Sequence, residues 1–173
     1  MMKQLLFILT MFFATTVVAQ KCELSVIDFG ARGDGVTINT TSIQAAIDSA
    51  HHIFTLRNQK VRVVLPQGTY VSGTIYLKSG VTLHLDSGAT LLGSTNPFDY
   101  VKDPTVRWTA FIFAIRQHDI AITGQGTIDG RGWEVANNMV NYIHLGLLRT
   151  RLNMIVLTRA TDRRISTFAS VTV

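Results

Sequence analysis

The sequence predicts an all-β fold of many short strands preceded by a single helix. Residues 74–78 and 81–86 alternate apolar and polar side chains with the period of two that a half-buried strand requires. Glycines separate such stretches at short intervals, which is typical of tight turns between strands. The strands between residues 61 and 92 are too close together for crossover helices. Two architectures therefore remain open at this point, an antiparallel meander and a parallel β-solenoid.

The one clear helical pattern covers residues 41–50, before the strands. Its apolar residues recur at i, i+3, i+4 and i+7 and share one face: Ile43, Ala46, Ile47 and Ala50. Thr41 and Gln44 have the spacing of a capping box at the start of the helix. A solenoid exposes the end of its stack and needs a cap there, and an amphipathic helix in this position would supply it.

The strands follow the helix in order along the chain. In residues 74–78, Ile75 and Leu77 point to one face. In residues 81–86, the inward residues are Val81, Leu83 and Leu85, and the outward residues are Thr82, His84 and Asp86. Further short strands are predicted at residues 90–92, 111–115 and 120–123.

Composition and charge argue against a disulfide-rich domain, a Cys-based zinc site and a nucleic-acid-binding body. A chain of 173 residues fits one domain, and its single cysteine excludes a disulfide framework and a Cys-based zinc site. The net charge of +5 comes mainly from residues 149–173, which carry five arginines against Asp162 alone. Residues 20–148 hold ten basic and ten acidic side chains. The predicted folded body is therefore neutral, which disfavours nucleic-acid binding except through the basic tail.

The N-terminus has the pattern of an export signal over residues 1–19. Lys3 supplies the positive charge, residues 5–13 form an apolar run, and Val17 and Ala19 are the small residues before a cleavage site. The apolar run is short for a transmembrane helix. We expect cleavage after Ala19 and a periplasmic or extracellular protein without a membrane anchor.

Five segments of the chain resemble one enzyme family. They are residues 26–35 (VIDFGARGDG) with 41–47 (TSIQAAI), the P-x-G-x-Y turn at 66–70, residues 73–85 and 88–94, and residues 122–133 (ITGQGTIDGRGW). Together they are similar to glycoside hydrolase family 28, the polygalacturonases, over about residues 24–148. The last segment favours hydrolases over pectate-lyase-like proteins, epimerase-like proteins and tailspikes, which share the opening motif.

The resemblance implies the N-terminal coils of a right-handed, single-stranded parallel β-helix of the pectin-lyase type. Residues 20–149 would form this part of the domain, with the helix near residues 41–50 as its cap. Outward side chains would line a groove for an acidic plant polysaccharide, namely pectin, polygalacturonate or rhamnogalacturonan. No nucleic acid, cofactor or metal is implied. Because the β-helix would be cut open, we expect a monomer or an aggregation-prone fragment.

The catalytic motifs of the resembled family are missing from this chain. Inverting glycosidases need two carboxyl groups about 6.5–9.5 Å apart. Family 28 takes them from Asn-Thr-Asp and Asp-Asp segments, assisted by Gly-His-Gly and Arg-Ile-Lys. None of these occurs here, and Ser166 stands where the last motif requires lysine. We therefore assign no catalytic, cofactor-binding or metal-binding residue and expect no hydrolytic activity.

Other polar residues are assigned structural roles. Three aspartates in glycine turns should bond to nearby backbone: Asp28, Asp34 and Asp129. His84 and Asp86 are interpreted as a solvated surface pair. His51 and His52 are interpreted as the cationic end of the helix. Trp133 is expected to be buried at a corner of the solenoid rather than to stack on sugar.

Residues 150–173 form a basic tail that matches nothing in the family. One choice of codons for residues 153–158 (NMIVLT), read two bases later, encodes Tyr-Asp-Arg-Pro-Asn, a segment with which family members tend to continue. We therefore hypothesise a frameshift near residues 149–150. A divergent natural C-terminus is the alternative.

Two further readings of the function remain open beside the leading one. The leading hypothesis is an exported polygalacturonase-type hydrolase present as its N-terminal portion. The alternative is a non-catalytic β-helix that binds carbohydrate or resembles a tailspike. Nucleic-acid binding through the basic tail is the weakest reading.

Overall fold

The protein is a parallel β-helix whose coils stack along one axis. The computed structural model describes residues 22–101, 109–144, 152–158, 161–165 and 170–172, with side chains given for residues 22–101 and 109–138. The predicted signal peptide lies outside the described residues. Every described pair of strands runs parallel, which excludes the meander.

Three parallel sheets form the sides of the β-helix. Sheet 1 consists of β1 (Glu23–Ser25), β3 (Val61–Leu65), β6 (Val81–Leu85), β9 (His118–Gly124) and β12 (Thr161–Ile165). Sheet 2 consists of β2 (Asp34–Ile38), β4 (Gly68–Ser72), β7 (Ala89–Gly93), β10 (Thr127–Asp129) and β13 (Ser170–Thr172). Sheet 3 consists of β5 (Ile75–Tyr76), β8 (Thr109–Ile115) and β11 (Leu152–Thr158).

The chain visits the sheets in the same order in every coil. It passes through sheets 1, 2 and 3 with β3, β4 and β5, and again with β6, β7 and β8, and with β9, β10 and β11. In the first coil, helix α1 (Thr40–Arg57) follows β1 and β2, where later coils place a strand of sheet 3. A second helix, α2 (Gly132–His144), and two 3₁₀ turns (Val26–Phe29 and Pro97–Asp99) lie between strands.

The predicted tail takes part in this architecture through its backbone. Strands β11, β12 and β13 continue sheets 3, 1 and 2 by pairing parallel with β8, β9 and β10. These segments therefore have the backbone course of a further coil. The frameshift hypothesis concerns the origin of the residues and stays a prediction.

Inward side chains stack in rows along the axis, as the period-two pattern predicted. In sheet 1, Val63 lies beside Leu83, and Leu83 beside Ile122; all three are at most 2% exposed. In sheet 2, Tyr70, Leu91 and Ile128 form the matching row. The inward assignment of Ile75, Leu77, Val81, Leu83 and Leu85 is confirmed. Burying each such side chain contributes about 1.5–3 kcal/mol to the free energy of folding.

Sheet 3 departs from this pattern because both of its faces are buried. In β8, Ala110, Ile112 and Phe113 are completely buried although neighbouring residues point to opposite faces. The Phe113 ring stacks on Tyr76 with a centroid distance of 5.3 Å. The aromatic second layer explains why residues 111–115 form an uninterrupted apolar run, which is typical of strands that are covered on both sides.

Helix α1 confirms the predicted cap but is longer than predicted. Its buried face consists of Ile43, Ala46, Ile47 and Ala50, as expected. The helix continues past residue 50 to Arg57 and ends at Asn58, which has a left-handed φ of 50°. His51 and His52 therefore lie inside the helix, and their assignment to its cationic end is wrong. In the added turns only Ile53 and Phe54 are partly buried among the apolar residues, whereas Leu56 is 69% exposed.

The predicted capping box is also wrong. The N-cap residue is Asn39, and no side chain caps the helix start. The Asn39 side-chain amide binds instead to β2 and the loop before it: Nδ2 donates to the carbonyls of Arg32 and Thr37, and Oδ1 accepts from the Arg32 amide at 2.7 Å. Asn39 is 1% exposed, so its buried side chain stabilises the conformation of the first coil around β2.

A polar stripe on α1 closes the edge of sheet 3. The Gln44 side chain accepts from the Tyr76 amide at 2.8 Å and donates to the Tyr76 carbonyl at 3.2 Å, as a neighbouring strand would. One and two helical turns away, Thr40 Oγ1 accepts from Gly73 N and His51 Nδ1 donates to Ser79 O, both at 2.8 Å. The stripe satisfies backbone groups that would otherwise end the sheet unpaired.

A glycine lets the C-terminal part of α1 approach the sheets. Gly80 has a φ of 78°, and a Cβ at this position would overlap the ring of Phe54. Gly80 N donates to His118 O at 3.2 Å, and the Phe54 ring meets the His118 ring edge-on at 5.8 Å. The missing side chain therefore allows the helix to contact the start of β9, three coils away from its own.

We predict that Gln44→Met lowers the free energy of unfolding by about 1–3 kcal/mol, because both hydrogen bonds to Tyr76 are lost while side-chain size and helix propensity are kept. Urea unfolding at unchanged m-value measures the difference. Thr41→Ala is the matched control, since Thr41 is exposed. If Thr41→Ala lowered the free energy of unfolding while Gln44→Met left it unchanged, the result would contradict this assignment and support the capping box.

Candidate functional site

Three carboxyl groups of the described coils form ion pairs with basic side chains. Glu23 pairs with Arg62 at 2.6 Å, Asp48 with Lys78 at 2.9 Å, and Asp119 with Lys60 at 2.5 Å. A general acid needs a raised pKa, which burial or a neighbouring carboxylate would supply. Among the described residues, the carboxyl groups with a resolved shift, Asp34 and Asp119, both move the other way, to a pKa of about 2.

Two of the three turn aspartates bind backbone as predicted. Asp34 Oδ1 accepts from the amides of Val36 and Thr37 at 2.9 and 2.8 Å, and Asp129 Oδ1 accepts from Arg131 N at 2.8 Å. Hydrogen bonds from Thr37 and Val36 lower the pKa of Asp34. Asp28 is exposed in the first turn of a 3₁₀ helix. The carboxylates of Asp34 and Asp129 are therefore hydrogen-bonded within their own turns.

His84 and Asp86 meet on the outward face of sheet 1. His84 Nε2 lies 3.4 Å from Asp86 Oδ1, and the ring Nδ1 lies 2.8 Å from Thr123 Oγ1 on the neighbouring strand. The His84 side chain is 19% exposed and that of Asp86 is 45% exposed. The pair is therefore bound into the surface of two coils, with the carboxylate facing solvent.

A cluster of polar side chains, here called the clasp, lies where the strands of sheet 1 begin. It consists of Lys60, His118 and Asp119. Asp119 accepts from Lys60 and from His118 Nδ1, the latter at 2.9 Å, and these two contacts lower the pKa of its carboxyl to about 2. Asp119 has a left-handed φ of 54°. The clasp joins the turn before β3 to the start of β9 and is a structural ion pair.

The corner between sheets 2 and 3 carries the longest insertions. The corner loop, residues 94–101, is closed by Tyr100, whose hydroxyl donates to Ser94 O at 2.6 Å, and by a short contact between Ser94 Oγ and Asp99. Burial raises the pKa of Tyr100 far above its ordinary value. The hydroxyl therefore stays protonated and acts as a fixed donor.

Both neighbouring coils hold the corner loop. From the coil before, Thr74 N donates to Asp99 O at 3.3 Å, and Thr74 Oγ1 accepts from Val101 N at 3.0 Å. From the coil after, Arg131 Nε donates to Gly93 O and Asn138 Nδ2 to Thr95 O, both at 2.8 Å. Tyr100 and Arg131 were missed in the sequence because their partners are backbone carbonyls distant in the chain.

Trp133 is exposed on this corner, so the expectation of burial is wrong. Its exposed fraction is 76%, and Phe98 in the corner loop is 55% exposed. Trp133 stands in the first turn of α2, a helix that the sequence pattern did not reveal. The corner therefore presents two aromatic side chains to solvent, together with the polar loop that supports them.

The outward face of sheet 2 carries a row of threonines. Thr69 lies beside Thr90, and Thr90 beside Thr127, in three successive coils. Their hydroxyl groups offer donors and acceptors along the axis. Within residues 22–101 and 109–138, no three His, Cys, Asp or Glu side chains gather as a metal would require. No described helix is long and apolar enough to span a membrane.

Comparison with known proteins identifies the family of this chain. The model of the family "rhamnogalacturonase A/epimerase, pectate lyase-like" matches residues 24–143. The chain belongs to this family. Among curated relatives, the exo-poly-α-D-galacturonosidase of Dickeya chrysanthemi is 34% identical over 152 residues, covering 75% of this chain. The resemblance to polygalacturonases is confirmed.

Solved structures confirm the right-handed parallel β-helix. The family 28 exopolygalacturonase of Yersinia enterocolitica superposes with a TM-score of 0.75 at 30% identity, covering 87% of this chain and 35% of that one. The chain spans about a quarter of the length of the Dickeya relative, 24%. A plasmin- and fibronectin-binding protein of Streptococcus pneumoniae is 42% identical over 74 residues, which cover 42% of this chain and 10% of that one.

We predict that Lys60→Met raises the pKa of Asp119 from about 2 towards its ordinary value of 3.8, because the main donor to the carboxylate is lost. A carboxyl with a lowered pKa stabilises the fold above its ordinary pKa, and this contribution disappears as the pH falls through its folded value. The stability difference between wild type and Lys60→Met should therefore shrink between pH of about 4 and about 2.

Carboxyl-carbon NMR titration measures the pKa directly. Asp34, whose pKa of about 2 depends on its own turn, serves as the internal control. An unchanged Asp119 titration in Lys60→Met would show that Lys60 is not the cause.

Proposed function

We propose that this chain is the N-terminal portion of an exported polygalacturonase-type glycoside hydrolase that cleaves galacturonosyl linkages of pectin. The observation that carries the proposal is the family match over residues 24–143, with a 34% identical exo-galacturonosidase. The parallel coils support it, because they build an extended surface suited to a polymeric substrate. The substrate class would be polygalacturonate or rhamnogalacturonan.

The mechanism needs two carboxyl groups with different roles, and we propose that neither lies in these coils. One must protonate the leaving oxygen while the other activates water, and both must face the substrate. The described carboxylates with resolved shifts have low pKa values and are bound by amides, Lys60 and His118. Further coils of a longer chain would have to supply the acid and the base. The present coils would support and extend the binding surface, with Phe98 and Trp133 exposed at its corner.

The activity test compares two chains on the same substrate. Purified residues 20–173 should release no reducing ends from polygalacturonate, because the sequence lacks the motifs that supply the acid and the base in the resembled family. A chain extended through the reading frame found downstream of codon 173 in genomic DNA should release them. Release by the 173-residue chain would overturn the predicted inactivity. If the downstream DNA encodes no Asn-Thr-Asp and Asp-Asp segments in any frame, the proposal of a longer hydrolase fails.

Export through a cleaved signal peptide is part of the same proposal. Polysaccharide polymers lie outside the cell, so an enzyme acting on them must cross the membrane. We expect N-terminal sequencing of the protein from the periplasm or culture medium to begin at Gln20. A mature protein that retains Lys3 would contradict cleavage and indicate an N-terminal anchor.

A non-catalytic binding module is the second candidate function. The similarity to the streptococcal plasmin- and fibronectin-binding protein favours it, since that protein is named for binding. A native stop codon, a soluble trimer on sizing and retention on immobilised polysaccharide without turnover would support this reading against the hydrolase.

A further inference from the structure

Arg131 holds a guanidinium without a carboxylate partner at the corner between sheets 2 and 3. Its Nε donates to Gly93 O at 2.8 Å, which fixes the side chain against the coil before it. In the part of the chain whose side chains are described, the guanidinium forms no other hydrogen bond and no ion pair. Arg131 is partly exposed, so its two terminal nitrogens remain available to a carboxylate, which can bind both at once.

The backbone of Arg131 keeps this side chain in place. Its φ is 44°, in the left-handed region that glycine adopts more readily than a residue with a side chain. Asp129 Oδ1 accepts from Arg131 N at 2.8 Å, and Val135 N donates to Arg131 O at 2.9 Å. A residue held in this conformation on both sides, with an unpaired charge, is a reason to look for a ligand.

Two aromatic side chains lie at the same corner. Trp133, two residues after Arg131, is 76% exposed, and Phe98 in the corner loop is 55% exposed. Helix α2, which carries Trp133, lies against the 3₁₀ turn Pro97–Asp99, which carries Phe98. A large exposed aromatic surface gains free energy when an apolar surface covers it, and such patches often mark binding sites.

The carboxyl groups of the corner limit which anions can bind there. Asp99 Oδ1 accepts from Asn96 Nδ2 at 3.3 Å, and its other oxygen makes the short contact with Ser94 Oγ. Glu134, next to Trp133, is exposed. Neither carboxylate pairs with Arg131, but both would repel a densely charged chain such as a nucleic acid. A polymer with one carboxylate on each sugar ring fits this mixed surface better.

We propose that Arg131 and Trp133 form a binding site for a uronic-acid residue of an acidic polysaccharide. The arginine binds the carboxylate through its terminal nitrogens, and the tryptophan ring covers the apolar C–H groups of a sugar ring. Phe98 lies at the margin of this site. The inference rests on the proposed function, from which it takes the class of ligand. It deepens that function by placing a contact with the polymer on coils to which we assign no catalytic group.

The first test uses the unaltered mature chain and two ligands of the same length. Isothermal titration calorimetry should show that hexagalacturonate binds at least about fivefold more tightly than fully methyl-esterified hexagalacturonate, because the ester cannot accept charge-assisted hydrogen bonds from Arg131. This comparison does not depend on how any variant folds. Equal affinity for the acid and the ester would overturn the proposal.

Matched variants assign the site. Trp133→Ala and Arg131→Gln should each weaken hexagalacturonate binding at least about fivefold, and Arg131→Gln should leave binding of the ester unchanged. Leu56→Ala is the control for Trp133, since Leu56 is also a large exposed apolar residue, 69% exposed. Arg116→Gln is the control for Arg131, since Arg116 is exposed with a left-handed φ of 55°. Both controls should bind as wild type does.

Two results would overturn the assignment to these side chains. One is an Arg116→Gln variant that weakens binding as much as Arg131→Gln, since affinity would then follow net charge alone. The other is single-stranded DNA that displaces hexagalacturonate at equal affinity, which would identify a general anion-binding surface.

Binding is measured without turnover, so this inference and the proposed hydrolase can fail separately. If the downstream DNA encodes no catalytic segments but Trp133→Ala and Arg131→Gln lose binding, the hydrolase proposal fails and the uronate site stands. If an extended chain hydrolyses polygalacturonate while both variants bind as wild type does, the uronate site is overturned and the hydrolase proposal stands.

Discussion

The closure of the first coil by helix α1 is the interaction on which the rest of this β-helix depends. Every later strand adds to an existing edge, but the strands of the first coil have none before them. The Gln44 side chain forms hydrogen bonds with both the amide and the carbonyl of Tyr76. Thr40 and His51 bind the backbone of the residues before and after it in the chain, Gly73 and Ser79. The apolar face of the same helix covers the inward rows. One element thus completes the hydrogen bonds and the core at the start of the stack.

Stacking then propagates through contacts between coils. The rows that begin at Val63 and Tyr70 continue through Leu83 and Leu91 in the next coil. The corner loop is tied to the coil before it by Thr74 and to the coil after it by Arg131. Because each coil contacts mainly its neighbours, stability is distributed along the axis. Loss of one such tie should loosen the coils nearest to it first.

The division of roles among polar groups follows from this architecture. Asp34 and Asp129 bind backbone amides, Asp119 binds Lys60, and the two carboxyl groups with resolved shifts, Asp34 and Asp119, have low pKa values. Such groups stabilise turns and clasps, whereas glycoside hydrolysis requires one carboxyl to hold a proton. Both observations are consistent with the proposed supporting role of these coils. Coils of this kind position a surface, and the reacting groups would have to lie elsewhere along it.

The sequence by itself determined the class of fold, the inward rows and the capping helix. Period-two alternation marked Val81, Leu83 and Leu85, and the helical period marked Ile43 and Ala50, because both signals are local. Glycine turns identified the roles of Asp34 and Asp129 for the same reason. The family resemblance then chose the parallel solenoid, which periodicity alone had left open against a meander.

Only the tertiary structure decided the features that depend on contacts across coils. Gln44 looked like a capping-box residue, but its partner Tyr76 lies 32 residues away. The last turns of α1 pack close to the sheets because Gly80 leaves room for the Phe54 ring. Trp133 is exposed on α2, which packs on the protein through Val135 and Asn138 instead. In each case the deciding partner is distant in the chain, and a local pattern carries no record of it.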